Sequence, residues 1–528
     1  RYYETMADDM NAPSAGTGDT WYGENVLYPF GYGLSYTTFE WALADTTAQT
    51  GEITAPNQVI SVDVTVTNTG SVAGKDVVQV YYTAPYTAGE IEKASVNMAG
   101  FAKTDLLQPG ESQTVTVELV AQDMASFDYN DANNNDFEGY ELEAGTYTIS
   151  ARYDSHNVAF SVERTVKEDI LCTTDYTTGA EIKPVFVDNY TSVNDTLLDN
   201  QITRTELGQP APASLEDRTI SEDVKAMLDS QETYASYMDD GTEPWYVGSE
   251  IPGWTQATAH AEDYSDVTIK LKDMSGIPYT QALPVDGVVT PATDEGSQKW
   301  DEFMNQLTWD ELVSLIVSGG GSTAIESIGK TEERAQDGSC QISGGTLWAS
   351  TPILSATYNV ELAEAQGRMI GNESIFNGVS GWYGPSMDIH RSPFSGRNFE
   401  YYSQDGVQGG IMAAALMEGV SSKGVICFTK HCFLNDQEGY RGDQGGVLVM
   451  CNEQAIREIY AKSFELAIKA GSMGIMSAFN RIGYIPCSYN YAMHENLVRD
   501  EWGFSGYSAT GAWIRPWSPL DMMGRAGD

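Results

Sequence analysis

Val425-Ile-Cys-Phe-Thr-Lys430-His431-Cys-Phe-Leu-Asn-Asp-Gln-Glu438-Gly-Tyr-Arg441 is the stretch from which the rest of the chain is best understood. Val425 to Phe428 form an apolar run without polar alternation, the pattern of a strand buried on both faces of a parallel sheet. Lys430 and His431 then fall where such a strand ends. In α/β enzymes the loops leaving that edge carry the chemistry, because they are exposed while the strands fix their positions. Two readings stand at this point: a functional pair, or a Lys and a His that merely meet water at a strand end.

The bulk properties narrow the choice. A length of 528 residues predicts three or four domains, and 41% hydrophobic with 11% aromatic residues is enough for real cores. The 75 acidic against 29 basic residues give a formal net charge of -46, which repels nucleic acid and anionic membrane surfaces and favours neutral partners. No apolar run approaches the roughly 18 residues of a membrane span, and Arg1-Tyr2-Tyr3-Glu4-Thr5-Met6 is not a signal peptide. A soluble, cytoplasmic or secreted protein is expected. With no initiator Met and an abrupt end at Gly527-Asp528, the chain reads as a piece of a longer one. The six cysteines (172, 340, 427, 432, 451 and 487) form no CxxC pair, so free buried thiols are expected, with no metal and no cofactor.

Residues 1–34 end in the aromatic and glycine-rich Leu27-Tyr-Pro-Phe-Gly-Tyr-Gly-Leu34, a connection packed on a neighbour. From 35 to 165 the period becomes two: Ile60, Val62, Val64 and Val66, then Val77–Tyr82, Val115–Leu119 and Thr146–Arg152, separated by Asn-Thr-Gly and Pro-Gly turns. This predicts an antiparallel sandwich of immunoglobulin or fibronectin type. Asp131, Asn133 and Asn135 suggest the start of a calcium loop, but Asp136 replaces the required Gly and Leu142 the required Glu, which favours a solvated loop. Residues 166–299 read as an extended connector holding a helix near Ser221–Met238 and carrying Trp245, Tyr246 and Trp254, which wrap on neighbouring domains.

From 300 onward strand and helix alternate. Asn359 caps one predicted helix and Asn452 another, the latter ended by Gly471. Short apolar runs follow at Val379–Ile389, Gly474–Phe479 and Tyr507–Thr510. Repeated βα units predict a TIM-type barrel over 300–528, incomplete at its C-terminus because the chain stops before an eighth unit.

Polar clusters follow these runs: Asp337-Gly338; Asp388 to Glu400 with Arg391 and Arg397; Lys430-His431 with Glu438 and Arg441; and Asn480-Arg481. Such donors and acceptors around one mouth suit a neutral polyhydroxylated ligand, a sugar ring. Here the sequence closely resembles glycoside hydrolase family 3, mostly β-glucosidases and β-xylosidases. The resemblance rests on Gly384-Pro-Ser-Met-Asp388-Ile-His-Arg391-Ser-Pro-Phe-Ser-Gly-Arg397-Asn-Phe-Glu400-Tyr-Tyr-Ser-Gln-Asp405, on Lys430-His431 through Arg441, on Met476-Ser-Ala-Phe-Asn-Arg481 and on Glu501-Trp-Gly-Phe-Ser-Gly506. Tyr28-Pro-Phe-Gly-Tyr-Gly-Leu-Ser-Tyr-Thr-Thr-Phe39 resembles the approach to the family's fibronectin-like domain. With that domain before the barrel, the order resembles the family's domain-permuted bacterial branch. There an αβα sandwich would precede Arg1, with residues 1–34 as its tail, and that domain or a second subunit is the expected partner.

The resemblance implies a retaining, exo-acting β-glucosidase that removes terminal β-linked glucose from glucosides or short oligosaccharides. It implies that Asp337 accepts hydrogen bonds from outer sugar hydroxyls while Arg397, Lys430 and His431 hold the same ring from another side; bonds to ionised groups orient a ligand strongly. Phe479, where many relatives have Tyr, and Trp513 join this substrate-binding set. Arg391, Glu400, Asp405 and Arg441 are implied as supports, the first three as ion-paired loop residues rather than ligand contacts.

Retaining hydrolysis needs two carboxyl groups about 5 Å apart. In Gly503-Phe-Ser-Gly-Tyr-Ser-Ala-Thr-Gly511-Ala-Trp513 the position matching the family's nucleophilic Asp is Gly511. Glycine cannot attack, and losing a nucleophile costs orders of magnitude in rate. Asp521 matches a different family Asp. The acid/base, a Glu in relatives, comes from the sandwich domain, and no residue here is assigned to it. An impaired or inactive enzyme is therefore expected. The alternatives are a carbohydrate-binding or sensing protein on a dead hydrolase scaffold, and a xylosidase, phosphorylase or N-acetylglucosaminidase. The last usually carries an Asp-His motif that Gln437–Val447 lacks.

Overall fold

Ile60, Val62, Val64 and Val66 all point inward from one ten-residue strand whose intervening residues face out, which follows from the two-residue repeat of an extended chain. The structure is a computed structural model describing residues 27–187, 268–277, 294–317, 321–390, 395–439, 447–483 and 485–509. The helix expected at Ser221–Met238 and Trp245, Tyr246 and Trp254 lie outside these residues.

The N-terminal part has eleven strands: β1 (Phe39–Leu43), β2 (Thr50–Glu52), β3 (Val59–Asn68), β4 (Val77–Thr83), β5 (Asn97–Lys103), β6 (Ser112–Val120), β7 (Ser126–Asp128), β8 (Gly139–Leu142), β9 (Gly145–Arg152), β10 (Val158–Val166) and β11 (Ile170–Cys172). They form sheets in the orders β1-β3-β6, β2-β10-β9-β4-β5 and β11-β8-β7. The first two share one core containing Val64, Val66, Val78, Val80, Tyr147 and Ile149. Sheet structure continues past residue 165, the expected end of the sandwich, because β11 pairs with β8. Its three residues are too few to register as a period-two run. The 131–136 loop is held by its own side chains: Asp131 Oδ1 accepts the N–H groups of Asn135 and Asp136 at 2.8 and 3.1 Å, and Glu141 accepts from Asn133 and Asn135. Among the described residues no group of three metal-ligating side chains occurs.

The second part begins with helix α1 (Glu295–Asn305), which crosses the expected boundary at 300, and α2 (Trp309–Val317). Strands β12 (Gly321–Ser322), β13 (Glu333–Asp337), β14 (Gly381–Tyr383), β15 (Ile426–Cys432), β17 (Gly474–Ser477) and β20 (Tyr507–Ala509) make one sheet. The short strands β16 (Leu448–Val449), β18 (Arg481–Ile482) and β19 (Ile485–Pro486) form a separate flap. β13, β14, β15, β17 and β20 are all parallel and lie side by side in chain order. Among the described strands there is no reversal and so no doubly wound switch point. The described sheet is open, and no described strand joins its two edges.

Helices α3 (Thr351–Ser355), α4 (Val360–Phe376), α5 (Gly406–Ser421), α6 (Glu453–Ala455) and α7 (Lys462–Lys469) accompany the sheet. The Asn359 and Asn452 side chains accept from Leu362 N and Ala455 N, the two caps expected from sequence. Gly471, at φ +99°, follows α7 in the left-handed conformation that favours glycine. The largest core of this part runs through Trp382, Met412, Val425, Phe433, Phe464, Ile475 and Leu497 and takes in Phe186 from the end of the segment after β11, while Phe303 of α1 packs in a separate cluster with Leu307, Ile325 and Ile328.

A polar seam joins the two parts. Arg457 is buried between Glu453 (2.8 Å) and Glu501 (2.7 Å), donates to Lys183 O, and stacks 4.3 Å above the Phe127 ring of the sandwich. Glu458 accepts the Phe127 N–H at 2.6 Å, and Glu453 accepts the N–H groups of Val185 and Phe186 at 3.0 Å. The seam encloses a cavity of about 50 Å³ lined by charged groups including Asp123, Glu458, Lys462 and Glu465. All six cysteines are free and buried, and burial pushes the Cys172, Cys427 and Cys487 thiols up to about 12. No helix among the described residues is long and apolar enough to cross a membrane.

Candidate functional site

The parallel strands deliver their last residues to one edge, and the polar side chains gather there. β13 ends at Asp337, and β15 carries Lys430 and His431 just before its end. The Lys430–His431 and Cys432–Phe433 peptides are cis, and the register of β15 against β17 shifts between Lys430 and Cys432. Lys430 is buried to its tip, with Nζ 2.5 Å from Asp337 Oδ1. The Asp337 side chain keeps 72% of its surface exposed, so it offers free carboxylate oxygen to a ligand while anchored to Lys430. Gly338 makes this strand end possible: at φ +154° a Cβ would overlap the Gln341 carbonyl, and the Gly338 N–H donates to Asp337 Oδ1 at 2.8 Å.

Partial burial would push the Asp337 carboxyl up, but the Lys430 ammonium, the bonds from Lys430 and Gly338 and the Arg397 charge outweigh it and hold the group below the usual carboxylate range. Asp337 is thus an ionised acceptor near neutral pH.

Arg397 sits on the loop before α5. Its Nε bonds Glu400, which also accepts from Ser386 Oγ at 2.7 Å, and Glu438 lies 4.0 Å away. Burial opposes the Arg397 charge, yet the bond it donates to Glu400 and the nearby carboxylates prevail and raise its proton affinity. Glu400 is ion-paired with Arg397. Asp405 is not: where an ion pair was expected, its Oδ1 caps α5 by accepting the Gln408 N–H at 2.8 Å, and burial raises it to about 6. The cap explains its place in the sequence, one residue before the first helical turn. Phe479 follows β17, half-buried, and Asn480 is fixed by donating from Nδ2 to Phe433 O at 3.0 Å. Arg391, Arg441, Gly511, Trp513 and Asp521 lie outside the described residues.

Sequence reasoning placed Asp388 in a polar cluster without giving it a role, and it missed Asn435. Asp388 is buried behind the strand end and accepts the backbone N–H of His431 at 2.8 Å and of Asn435 at 2.9 Å. Tyr401 donates to Asn435 O, and Asn435 Nδ2 returns a bond to the Tyr401 hydroxyl. The available signal was Asp388 itself, an acid flanked by the apolar Met387 and Ile389. The assembly therefore places one open carboxylate against the Lys430 ammonium and within reach of the Arg397 charge, with the His431 ring buried next to Asp388; ionised donors and acceptors of this kind suit a hydroxylated ligand.

Residues 331–513 match the glycosyl hydrolase family 3 N terminal domain and residues 76–155 a fibronectin type III-like domain. The chain is 30% identical over 541 residues to beta-glucosidase A of Butyrivibrio fibrisolvens, covering 97% of this chain and 58% of that protein. It is 31% identical over 517 residues to a beta-glucosidase of Ruminococcus albus, covering 94% and 47%. A solved beta-glucosidase from Paenibacillus barengoltzii aligns with 26% identity and a TM-score of 0.67 over 96% of this chain and 53% of its own. The chain thus spans about half the length of the relatives it matches. With an Fn3-like sandwich placed ahead of a parallel-stranded domain whose strand ends carry the Asp337–Lys430 pair, the chain belongs to glycosyl hydrolase family 3.

Proposed function

We propose that this chain carries the sugar-binding edge of an exo-acting β-glucosidase. On this reading Asp337, Lys430, His431 and Arg397, with Phe479 and Trp513 beside them, hold a terminal β-linked glucose, and Arg391, Glu400 and Arg441 support that edge. The parallel strands β13 to β20 belong to a TIM-type barrel. The observation that carries the proposal is the Asp337–Lys430 pair, an open carboxylate anchored by a buried ammonium at the C-terminal edge of parallel strands. The β-glucosidase relatives support glucosides as the substrate class.

Turnover is the separate question. Family hydrolysis proceeds by retention through a carboxylate nucleophile, and Gly511 occupies the matching position. We infer a chain that binds better than it hydrolyses, and this favours a second reading, a carbohydrate-binding protein on a hydrolase scaffold. An aryl β-glucoside assay of the chain and of Gly511→Asp, with azide or formate as an external nucleophile, separates the two. Recovery with Asp or the small anion supports an impaired hydrolase, and binding without recovery supports the second reading. Full activity of the unmodified chain overturns the impairment. An aryl β-xyloside run in parallel tests the alternative sugar.

A further inference from the structure

Asp388 does not reach the open edge, yet it is the group on which that edge is hung. It lies five residues beyond β14 with 2% of its surface exposed. Oδ2 accepts the His431 N–H at 2.8 Å and stands 3.5 Å from His431 Nδ1, while Oδ1 accepts the Asn435 N–H at 2.9 Å. One carboxylate thus spans the whole turn from Lys430, whose ammonium faces Asp337, to Asn435, whose amide holds the Tyr401 hydroxyl. An isolated carboxylate is costly to bury, and the hydrogen bonds that hold this one come from two backbone amides of the β15 exit, with the His431 ring beside it.

We infer that Asp388 is the positioning residue of the sugar-binding edge: by holding the His431 and Asn435 amides it fixes the His431 ring and aims Lys430 at the ligand that Asp337 meets. The inference rests on the sugar-binding reading proposed above. The charged and titratable groups around it are His431, Cys432 and Asp436 on β15 and its exit, Arg397 and Tyr401 on the loop before α5, and Cys487 beside β19. Burial raises the Asp388 carboxyl to about 7, against the two backbone bonds and Arg397, which favour the charged form, while Asp436 reinforces the rise. Ionised, it accepts both amides strongly; protonated, it accepts them weakly, because charge-assisted bonds are roughly twice as strong as neutral ones. The turn therefore tightens as pH rises through about 7.

The test is glucose affinity by calorimetry from pH 5.5 to 8.5 on the full chain, on Asp388→Asn and on Lys430→Ala, with amide hydrogen exchange of segment 429–436 measured without sugar. The parent should gain affinity about tenfold on going up through the midpoint. Asp388→Asn should bind about tenfold more weakly at pH 8 with a flat profile, and its segment should exchange at least tenfold faster. A merely structural role would lower affinity equally at every pH. If Asp388→Asn follows the parent's pH curve while Lys430→Ala loses binding, the positioning role is wrong and the site reading survives. If the parent binds no glucose, or Lys430→Ala binds like the parent, the site reading fails; the exchange rates then decide Asp388, and unchanged protection overturns its role.

Discussion

Lys430 Nζ and Asp337 Oδ1 lie 2.5 Å apart although β14 runs between the strands that carry them. The pair bridges over the end of the middle strand, and only one of its members is open to solvent. Removing Asp337 leaves a buried ammonium without its carboxylate. A fully buried pair broken this way costs about 3 to 5 kcal/mol. Exposure of Asp337 lets water compensate, so about 1 to 2 kcal/mol is expected for Asp337→Asn, read as a lower urea midpoint. The folded carboxyl is held below its usual range. Its contribution is therefore present above the unfolded carboxyl's pKa of about 3.9 and is lost as pH falls through the lower folded value. Asp337→Asn should remove that acid-side loss, and a parent and variant with identical acid unfolding curves would refute it.

The seam gives the opposite sign. Glu458 accepts the Phe127 N–H at 2.6 Å and the Gln454 amide at 3.1 Å, and burial raises it to about 7. A carboxyl raised in the folded state binds its proton there before the unfolded chain does. Its contribution is complete below about pH 4.3 and is lost as pH climbs through about 7. Each tenfold change in proton affinity is worth about 1.4 kcal/mol. Glu458 lines the seam cavity, which is wide enough for water, so on the order of 1 to 3 kcal/mol is expected. Glu458→Gln should flatten that part of the stability curve between pH 4.5 and 7.5. Asp388 and Asp405, raised to about 7 and about 6, should keep the remainder.

Arg457 ties both carboxylates of its own part to the Phe127 face of the sandwich. Arg457→Ala buries Glu453 and Glu501 without their cation and should cost about 3 to 5 kcal/mol. Because the same residue crosses the seam, calorimetry should show the sandwich and the parallel-stranded part unfolding as two transitions in the variant. A single transition at the parental temperature would show that the apolar contacts alone hold the parts together.

How much of this was legible in the sequence depended on how local each signal was. The alternation from Ile60 to Val66 and the Asn359 and Asn452 caps are written in a few consecutive residues, and the structure contains those elements. Asp337, Lys430 and Arg397 were legible as polar residues after apolar runs and through family resemblance, but their distances were not. Asp388 was legible as part of a polar cluster, but its role was not, because its partners are backbone amides, which carry no side-chain signature. Arg457 and Glu501 are 44 residues apart, and nothing local in either segment announces the other. Strand β11 was read as connector because three residues cannot establish a period. Asp405 was assigned an ion pair where it caps a helix, since an Asp before a helical run is compatible with both until its neighbours are placed.

Helices α4 and α5 cross on small residues. A Cβ at Gly367 would overlap the Leu416 carbonyl oxygen, and one at Gly419 would overlap the Glu364 carbonyl oxygen, so each helix lies against the other's backbone. In an isolated helix Gly→Ala gains about 1 kcal/mol from propensity. Here the added methyl must push a packed backbone away, and overpacking costs about 1 to 3 kcal/mol or more because main chain yields less readily than a side-chain tip. Gly419→Ala and Gly367→Ala should therefore each destabilise by about 1 to 3 kcal/mol net. The double variant should cost less than the sum, because one displacement of the helices relieves both overlaps. Equilibrium urea unfolding of the three variants checks this: a stabilised single variant would mean that the helices stand further apart than the glycines imply, and strict additivity would mean that the two contacts are independent.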